Sequence, residues 1–437
     1  MSNFALKTDG QPLLEIERKL RKYLPGLDVR LWPFSASQAI IRAPLVRALD
    51  IDYPHIGAGP LLKVIGVASI RSITDEETIA LLAGRDVEFL APRPTVPQKQ
   101  VAGFDWHLDT VGAPPAWALM GGPGNIAWGD VKVGHIDTGY TQHPALGFGA
   151  ATWIDVGNAK TIVPPAASGE ATMIPDEPGG GVDNLSGVSA GHGTRMASAI
   201  SGHAPNAPGG SFYGVAPKVP LLPIRITDIV WINHAQRQFA EAMDYAVDTW
   251  GAKVVNVSLG VFAGFVIKEM RDSLDHAYEK GVIVVCAAGN YVNSVVAPAR
   301  LDRTVAVGGT TRDDAPWSGS SYGPEVDFSA PASGLRRAST TNKGQFEYAL
   351  GGDGTSYATA MTTGAAALWL SHRAQEIASA YPQPWQRVAA FTALARDNAS
   401  VPKPWQLGSF GTGVLNIKAL LDAKLPAAGD LMKAANA

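Results

Sequence analysis

The sequence predicts an α/β protein: a mostly parallel sheet with helices on both faces, preceded by a small N-terminal α+β unit. Three observations carry that prediction. Strand-like apolar runs alternate with helix-period segments beyond residue 103, polar and glycine residues gather where those runs end, and a proline-rich stretch sets this region apart from a differently patterned N-terminus. The chain has 437 residues, 46% of them apolar, which is enough for a large core.

Residues 1–92 read as the small unit. Helical spacing in "QPLLEIERKLRKYL" leads to "DVRLWPF" and "SQAIIRAP", then to the strand-like "LLKVIGVASI". In "TDEETIALLAG", Thr74 and Glu77 form a capping-box pattern that starts a helix, and Gly84 ends it. "DVEFLAP" is read as a closing strand, and residues 93–102, within "APRPTVPQKQ", as an extended linker.

Residues 103–425 carry the alternating pattern, with 426–437 left as a C-terminal tail. The strands are "VKVGHIDTG", "VPLLPIRIT", "AKVVNVSLG", "VIVVCAAGN" and "RTVAVGG"; "AQRQFAEAMDYAVDTWG" and "KEMRDSLDHAYEKG" are the helices between them. Strand carboxyl ends are where sites form in such folds. Asp137, then Ser258 and Gly260, then Gly289 and Asn290 stand there. The Gly/Pro-rich stretch from Val163 to Val188 reads as a long surface loop.

Composition excludes several function classes. The net charge of -3, without long runs of either sign, argues against a nucleic-acid partner or a charged membrane surface, and "ERKLRKY" fits the solvated face of a helix. No apolar segment approaches the roughly 18 residues that span a bilayer. Lys7, Asp9 and Glu15 interrupt the N-terminus where a signal peptide needs an apolar run, so the chain as written is expected to be cytoplasmic, or secreted if a leader has been removed. Cys286 is the single cysteine and reads as a buried strand residue; no Cys/His grouping has zinc-ligand spacing. The oligomeric state is not legible.

Catalysis turns on Ser356 in "GGDGTSYATAM". In isolation a serine after glycine and before an Ala-rich helix is a helix cap. As a nucleophile it needs an imidazole to take its proton and a carboxylate to orient that imidazole. Among nine histidines, His55, His107, His143, His203, His234 and His372 lie in loops or at helix edges, His276 on a helix and His135 inside a strand. His192 differs: "SAGHGTRMASAISG" sets it between two glycines at the start of a small-residue helix, as Ser356 is set. Asp137 in "GHIDTGY" is the acid, a carboxylate at a strand end that is costly to bury unless amides or an imidazole donate to it.

"DTG" at Asp137, "HGT" at His192 and "GTSYATA" at Ser356 resemble the subtilisin-like serine peptidases, the subtilases, in that family's order of Asp, His, Ser. The likeness runs from "WHLDTVGAPPAW" to "GTGVLNIKALL". It implies a subtilisin-like fold, polypeptide substrates and a serine endopeptidase in which Ser356 attacks, His192 is base and acid, and Asp137 orients the imidazole. "AAGN" is similar to the family's oxyanion motif, so Asn290 is expected to donate to the oxyanion with the Ser356 backbone N–H. "SLG", Ser258, Leu259 and Gly260, resembles the segment that pairs with substrate backbone, with Asp228 to Trp231 as the opposite edge; Ala288 and Gly289 join the substrate-binding set.

Three positions depart from the family pattern: Arg195 stands where a second histidine is common, and Tyr357 and Ala360 where Met and Pro are. No cofactor is implied for the chemistry. Structural calcium is common in the family, but the segment "SGHAPNAPGGSFYGVAP" holds no carboxylate, so no metal site is placed. The N-terminal unit more loosely resembles a subtilase propeptide, which would assist folding, act as an intramolecular inhibitor and be cut between Pro97 and Gly103; a retained docking domain is the alternative. Two rivals remain: relatives using Ser, Glu and Asp, disfavoured by His192, and a catalytically silent scaffold that binds peptides or partners, disfavoured by the intact triad.

Overall fold

A computed structural model of the chain describes residues 105–163, 172–174, 180–185, 189–261, 265–292, 294–403, 405 and 409–437 and, ahead of these, the backbone of four strands. The chain divides into two compact units, Met1–Val96 and Pro97–Ala437. In the first unit β1 (Ser2–Thr8), β2 (Arg30–Ser35), β3 (Gln38–Ala43) and β4 (Val67–Ile73) form an antiparallel sheet in the order β2-β3-β1-β4. The strand-like "LLKVIGVASI" overlaps the start of β4; β2 and β3 fall in "DVRLWPF" and "SQAIIRAP", where the sequence pattern assigns no element type, and β1 is not foreseen. The helices expected in "QPLLEIERKLRKYL" and "TDEETIALLAG", the strand "DVEFLAP" and the linker lie outside the described residues.

The second unit opens with α1 (Trp106–Thr110) and α2 (Ala113–Leu119), then β5 (Val133–Asp137), β6 (Lys160–Val163) and β7 (Thr172–Ile174). Helix α3 (His192–Ser201) leads through the short pair β8 (His203–Ala204) and β9 (Phe212–Tyr213) to β10 (Leu221–Arg225). Next come α4 (Gln236–Asp244), β11 (Val254–Val257), α5 (Lys268–Glu279), β12 (Ile283–Ala287), β13 (Val305–Thr310) and β14 (Phe328–Pro331). The hairpin β15 (Leu335–Thr340) and β16 (Phe346–Gly352) precedes α6 (Thr355–His372), α7 (Ala374–Ala380), α8 (Pro384–Asp397) and α9 (Ile417–Asp422).

Eight strands make one sheet in the order β14-β13-β12-β11-β5-β10-β6-β7, parallel throughout except for the β6–β7 pair. The winding starts at β5, moves outward to β6, returns to β10 and then passes to β11 on the other side of β5. That reversal opens a crevice at the carboxyl end of β5, the place where such sheets bind ligands.

The two-residue period of the strands divides the core. Val133, Val254, Ile283 and Val285 point to the face carrying α3 and α6; Ile136, Val255, Val284 and Cys286 point to the face where Phe239, Met243, Met270 and Leu274 of α4 and α5 pack. Helix α6 is buried from Thr355 to Leu370 and packs on β11, β12, β13, β14 and α3. Its Ala, Thr and Gly side chains let a helix without a polar face lie in the protein interior.

Two segments differ from the sequence reading. The supposed surface loop from Val163 to Val188 contributes β7 to the main sheet and a buried Asp183. The supposed tail is strapped to the body: the Arg303 guanidinium donates to the Ala434 and Ala435 carbonyls and the Asn436 side chain, and the Tyr278 hydroxyl accepts from the Ala434 amide. The same buried guanidinium is ion-paired to Asp275 and Glu279, at 3.2 and 3.1 Å, so its several donors join the C-terminal segment to α5.

Candidate active site

Asp137 closes β5 and is fully buried. Its Oδ1 accepts from the Thr138 amide at 2.7 Å and lies 2.7 Å from His192 Nδ1. Burial alone would push this carboxyl up, but the His192 charge and hydrogen bond, with help from the Thr138 amide, hold it below the ordinary carboxylate value. Oδ2 is buried with no hydrogen-bond partner among the described residues.

His192 is the first residue of α3, after Gly191 in the left-handed region. Gly193 explains the motif around it: a Cβ there would lie 1.9 Å from the Gly139 carbonyl oxygen. The backbones of "DTG" and "HGT" therefore touch, which is how residues 55 apart in sequence share a hydrogen bond. Asp183 adds a second tie, accepting from the Thr138 hydroxyl at 2.8 Å and the Gly191 amide at 3.0 Å. Arg195, in the place of the commoner histidine, donates to the Ala190 carbonyl at 2.8 Å.

Ser356 is not a cap. The N-cap of α6 is Gly354, and no side chain caps the helix. Ser356 Oγ instead donates over 3.5 Å to the Ser258 carbonyl, while Ser258 Oγ donates to the Ser356 carbonyl at 3.2 Å. As a first-turn residue, Ser356 presents its N–H at the positive end of an 18-residue helix.

Asn290 follows β12, and its orientation is fixed by chemistry. Oδ1 accepts from both the amide and the hydroxyl of Thr355, at 2.9 and 2.8 Å. An amide nitrogen cannot accept, so Nδ2 is the atom left for a ligand.

A cleft beside Ser356 is lined by Trp231, Ser258, Leu259, Gly260, Gly289 and Asn290, among others. Sequence reasoning foresaw all of these. Ala288 is corrected: it is fully buried in the core under α5, and its neighbour Ala287 lines the cleft instead. Val230, within the stretch expected as the opposite edge, also lines it; Thr355 and Val296 do so too and were missed, because their small or apolar side chains carry no distinctive chemical signal.

The two edges expected to flank a substrate are bonded to each other: the Gly260 amide donates to the Val230 carbonyl at 3.0 Å and the Ile232 amide to the Gly260 carbonyl at 2.9 Å. Among the described residues no group of three His, Cys, Asp or Glu side chains is placed to hold a metal ion. The loop after α3 offers carbonyls without a carboxylate, a poor match to calcium.

Residues 129–413 match the model of the subtilase family. Thermitase of Thermoactinomyces vulgaris is 31% identical over 262 residues, 59% of this chain and 79% of that protein. Subtilisin BL of Lederbergia lenta is 30% identical over 264 residues, 60% of this chain and 82% of that one. The crystal structure of MycP1 with its N-terminal propeptide removed covers 74% of this chain and 98% of its own, with a TM-score of 0.53 and 24% identity. MycP1 from Mycobacterium smegmatis aligns over 75% of this chain and 88% of its own, with a TM-score of 0.54 and 22% identity. At such identities these two structures speak to the fold alone.

Proposed function

The chain belongs to the subtilase family, a family of hydrolases acting on polypeptides, and from that premise we propose a serine endopeptidase whose machinery is Ser356, His192, Asp137 and Asn290. The observation that supports it most directly is the buried 2.7 Å pair of Asp137 Oδ1 and His192 Nδ1. That bond places the proton on Nδ1 and leaves Nε2 as the basic nitrogen.

Ser356 Oγ attacks the scissile carbonyl carbon as its proton passes to His192 Nε2, and Asp137 stabilises the imidazolium. The oxyanion is met by Asn290 Nδ2 and the Ser356 N–H, both fixed before the substrate arrives; in subtilisin the loss of such an amide costs roughly 3 kcal/mol of transition-state stabilisation. His192 returns the proton to the leaving amine, and water, activated by the same imidazole, releases the acyl group and regenerates Ser356. No step calls for a metal or cofactor. The first unit serves as an intramolecular inhibitor that is removed by cleavage between Pro97 and Gly103; its loose resemblance to a propeptide supports this.

Intact mass after incubation with a serine-directed fluorophosphonate tests the reading. Wild type is expected to gain the probe mass and lose the first unit, while Ser356→Ala does neither and loses turnover by about a millionfold, the magnitude known for subtilisin. Equal turnover in Ser356→Ala would end the proposal; labelling without processing would end its propeptide half alone.

A further inference from the structure

His135 stands two residues before Asp137 in β5, so both side chains leave the same face of the strand. It is fully buried, and both ring nitrogens are in use: Nε2 lies 2.9 Å from the Gly193 carbonyl and Nδ1 lies 3.2 Å from Asn256 Nδ2. A carbonyl only accepts, so Nε2 carries the hydrogen and Nδ1 must accept in turn. Asn256 then faces His135 with its NH2. The same Nδ2 donates to Ser258 Oγ at 3.1 Å, and Asn256 Oδ1 accepts from the Thr363 hydroxyl at 3.1 Å. Ser258 Oγ donates onward to the Ser356 carbonyl at 3.2 Å.

An unbroken run of hydrogen bonds thus links the residue after His192 to Ser356, with Asn256 Nδ2 at its middle donating both ways, to His135 Nδ1 and to Ser258 Oγ. It crosses the sheet through β5 and β11, and it grips α6 at Ser356 and again at Thr363, two turns along the same face. Burying this many polar groups is favourable only when each has its partner, as here.

We propose that His135 is a positioning residue: through Asn256 and Ser258 it ties the helix bearing His192 to the helix bearing Ser356 and so sets the spacing of base and nucleophile. The proposal rests on the peptidase reading above. His135 itself touches no substrate. The chain works only with a neutral ring, since a charged one would set two donors face to face at Asn256. Burial pushes the ring in that direction; of the charged groups near it, Asp137 on the same strand opposes and His192 on α3 assists.

His135→Val puts a strand-favouring β-branched side chain in the buried position and removes the chain of bonds. Its kcat per folded molecule and its fluorophosphonate labelling rate are expected to fall together by about tenfold to a hundredfold with KM within about twofold, the scale of a small misplacement. His135→Gln, which can still donate to the Gly193 carbonyl, is expected to recover part of both. Wild-type kcat and labelling in His135→Val would overturn the proposal, as would losses that follow the unfolded fraction alone. Wild type that fails to label at all would sink the peptidase reading, a separate outcome. Should His135→Val not fold, 15N shifts of the histidine rings in full-length Ser356→Ala decide. A neutral His135 with a protonated Nε2 supports the chain, and the other tautomer or a charged ring overturns it.

Discussion

At Gly193 the site has no room for a methyl group, because the obstacle at 1.9 Å is the Gly139 carbonyl and not a side chain that can turn away. Gly193→Ala is therefore expected to part the "DTG" and "HGT" backbones and lower kcat/KM by more than about a hundredfold. Near-wild-type kinetics in a folded variant would refute this. Titration at single residues gives a second test. Burial pushes the His107 ring from its ordinary 6.5 down to about 4. The unfolded chain then binds a proton that the folded chain does not, so the stability present above pH 6.5 is lost as pH falls toward 4. Asp327 runs the other way, since burial lifts its carboxyl from 3.8 to about 6 and its contribution, present below 3.8, is lost as pH rises through 6. In a Ser356→Ala background, His107→Phe is expected to shrink the loss of Tm between pH 7 and 5, and Asp327→Asn to enlarge it. Unchanged slopes would contradict both signs. Asp137, His192 and Ser356 were legible because their chemistry needs all three types at strand ends and helix starts; His135 was passed over as a strand residue, although its place two residues from Asp137 already put it on the same face.

The elements easiest to foresee were β10, β11 and β12, buried on both faces and so written as mostly apolar runs, broken only by Arg225 at the end of β10 and by Asn256 in β11. The hairpin of β15 and β16 escaped, since its second strand is half-exposed and mixes Phe346, Glu347 and Leu350 with small residues. Patterning alone also gave no sign that the two edges of the cleft would close on each other. The bonds between Gly260 and the segment at Val230 and Ile232 occupy the donor and acceptor that an added substrate strand would use. Opening must precede full pairing. The association rate of a peptidyl fluorophosphonate or boronate is thus expected to level off as its concentration rises, while a small fluorophosphonate with no peptide shows no plateau. A linear dependence for both would show that the edge need not open.

Across the whole molecule, Cys286 reports on the state of the sheet. It is the single thiol of the chain, sits fully buried in β12, and burial pushes its ionisation up. A thiol reagent is expected to reach it only on global opening, so labelling in Ser356→Ala should track the unfolding rate measured by an optical probe. Labelling much faster than unfolding would reveal a local route through β12. The order of the winding has a last consequence, for synthesis. β5 sits at the middle of the sheet and donates Asp137, but the strands that flank it and the helix that brings Ser356 arrive much later in the chain. A ribosome that has finished most of this sequence holds the proposed acid, base and oxyanion donor with nothing to attack with. The cell meets the proposed nucleophile only when the sheet that must contain it is already made.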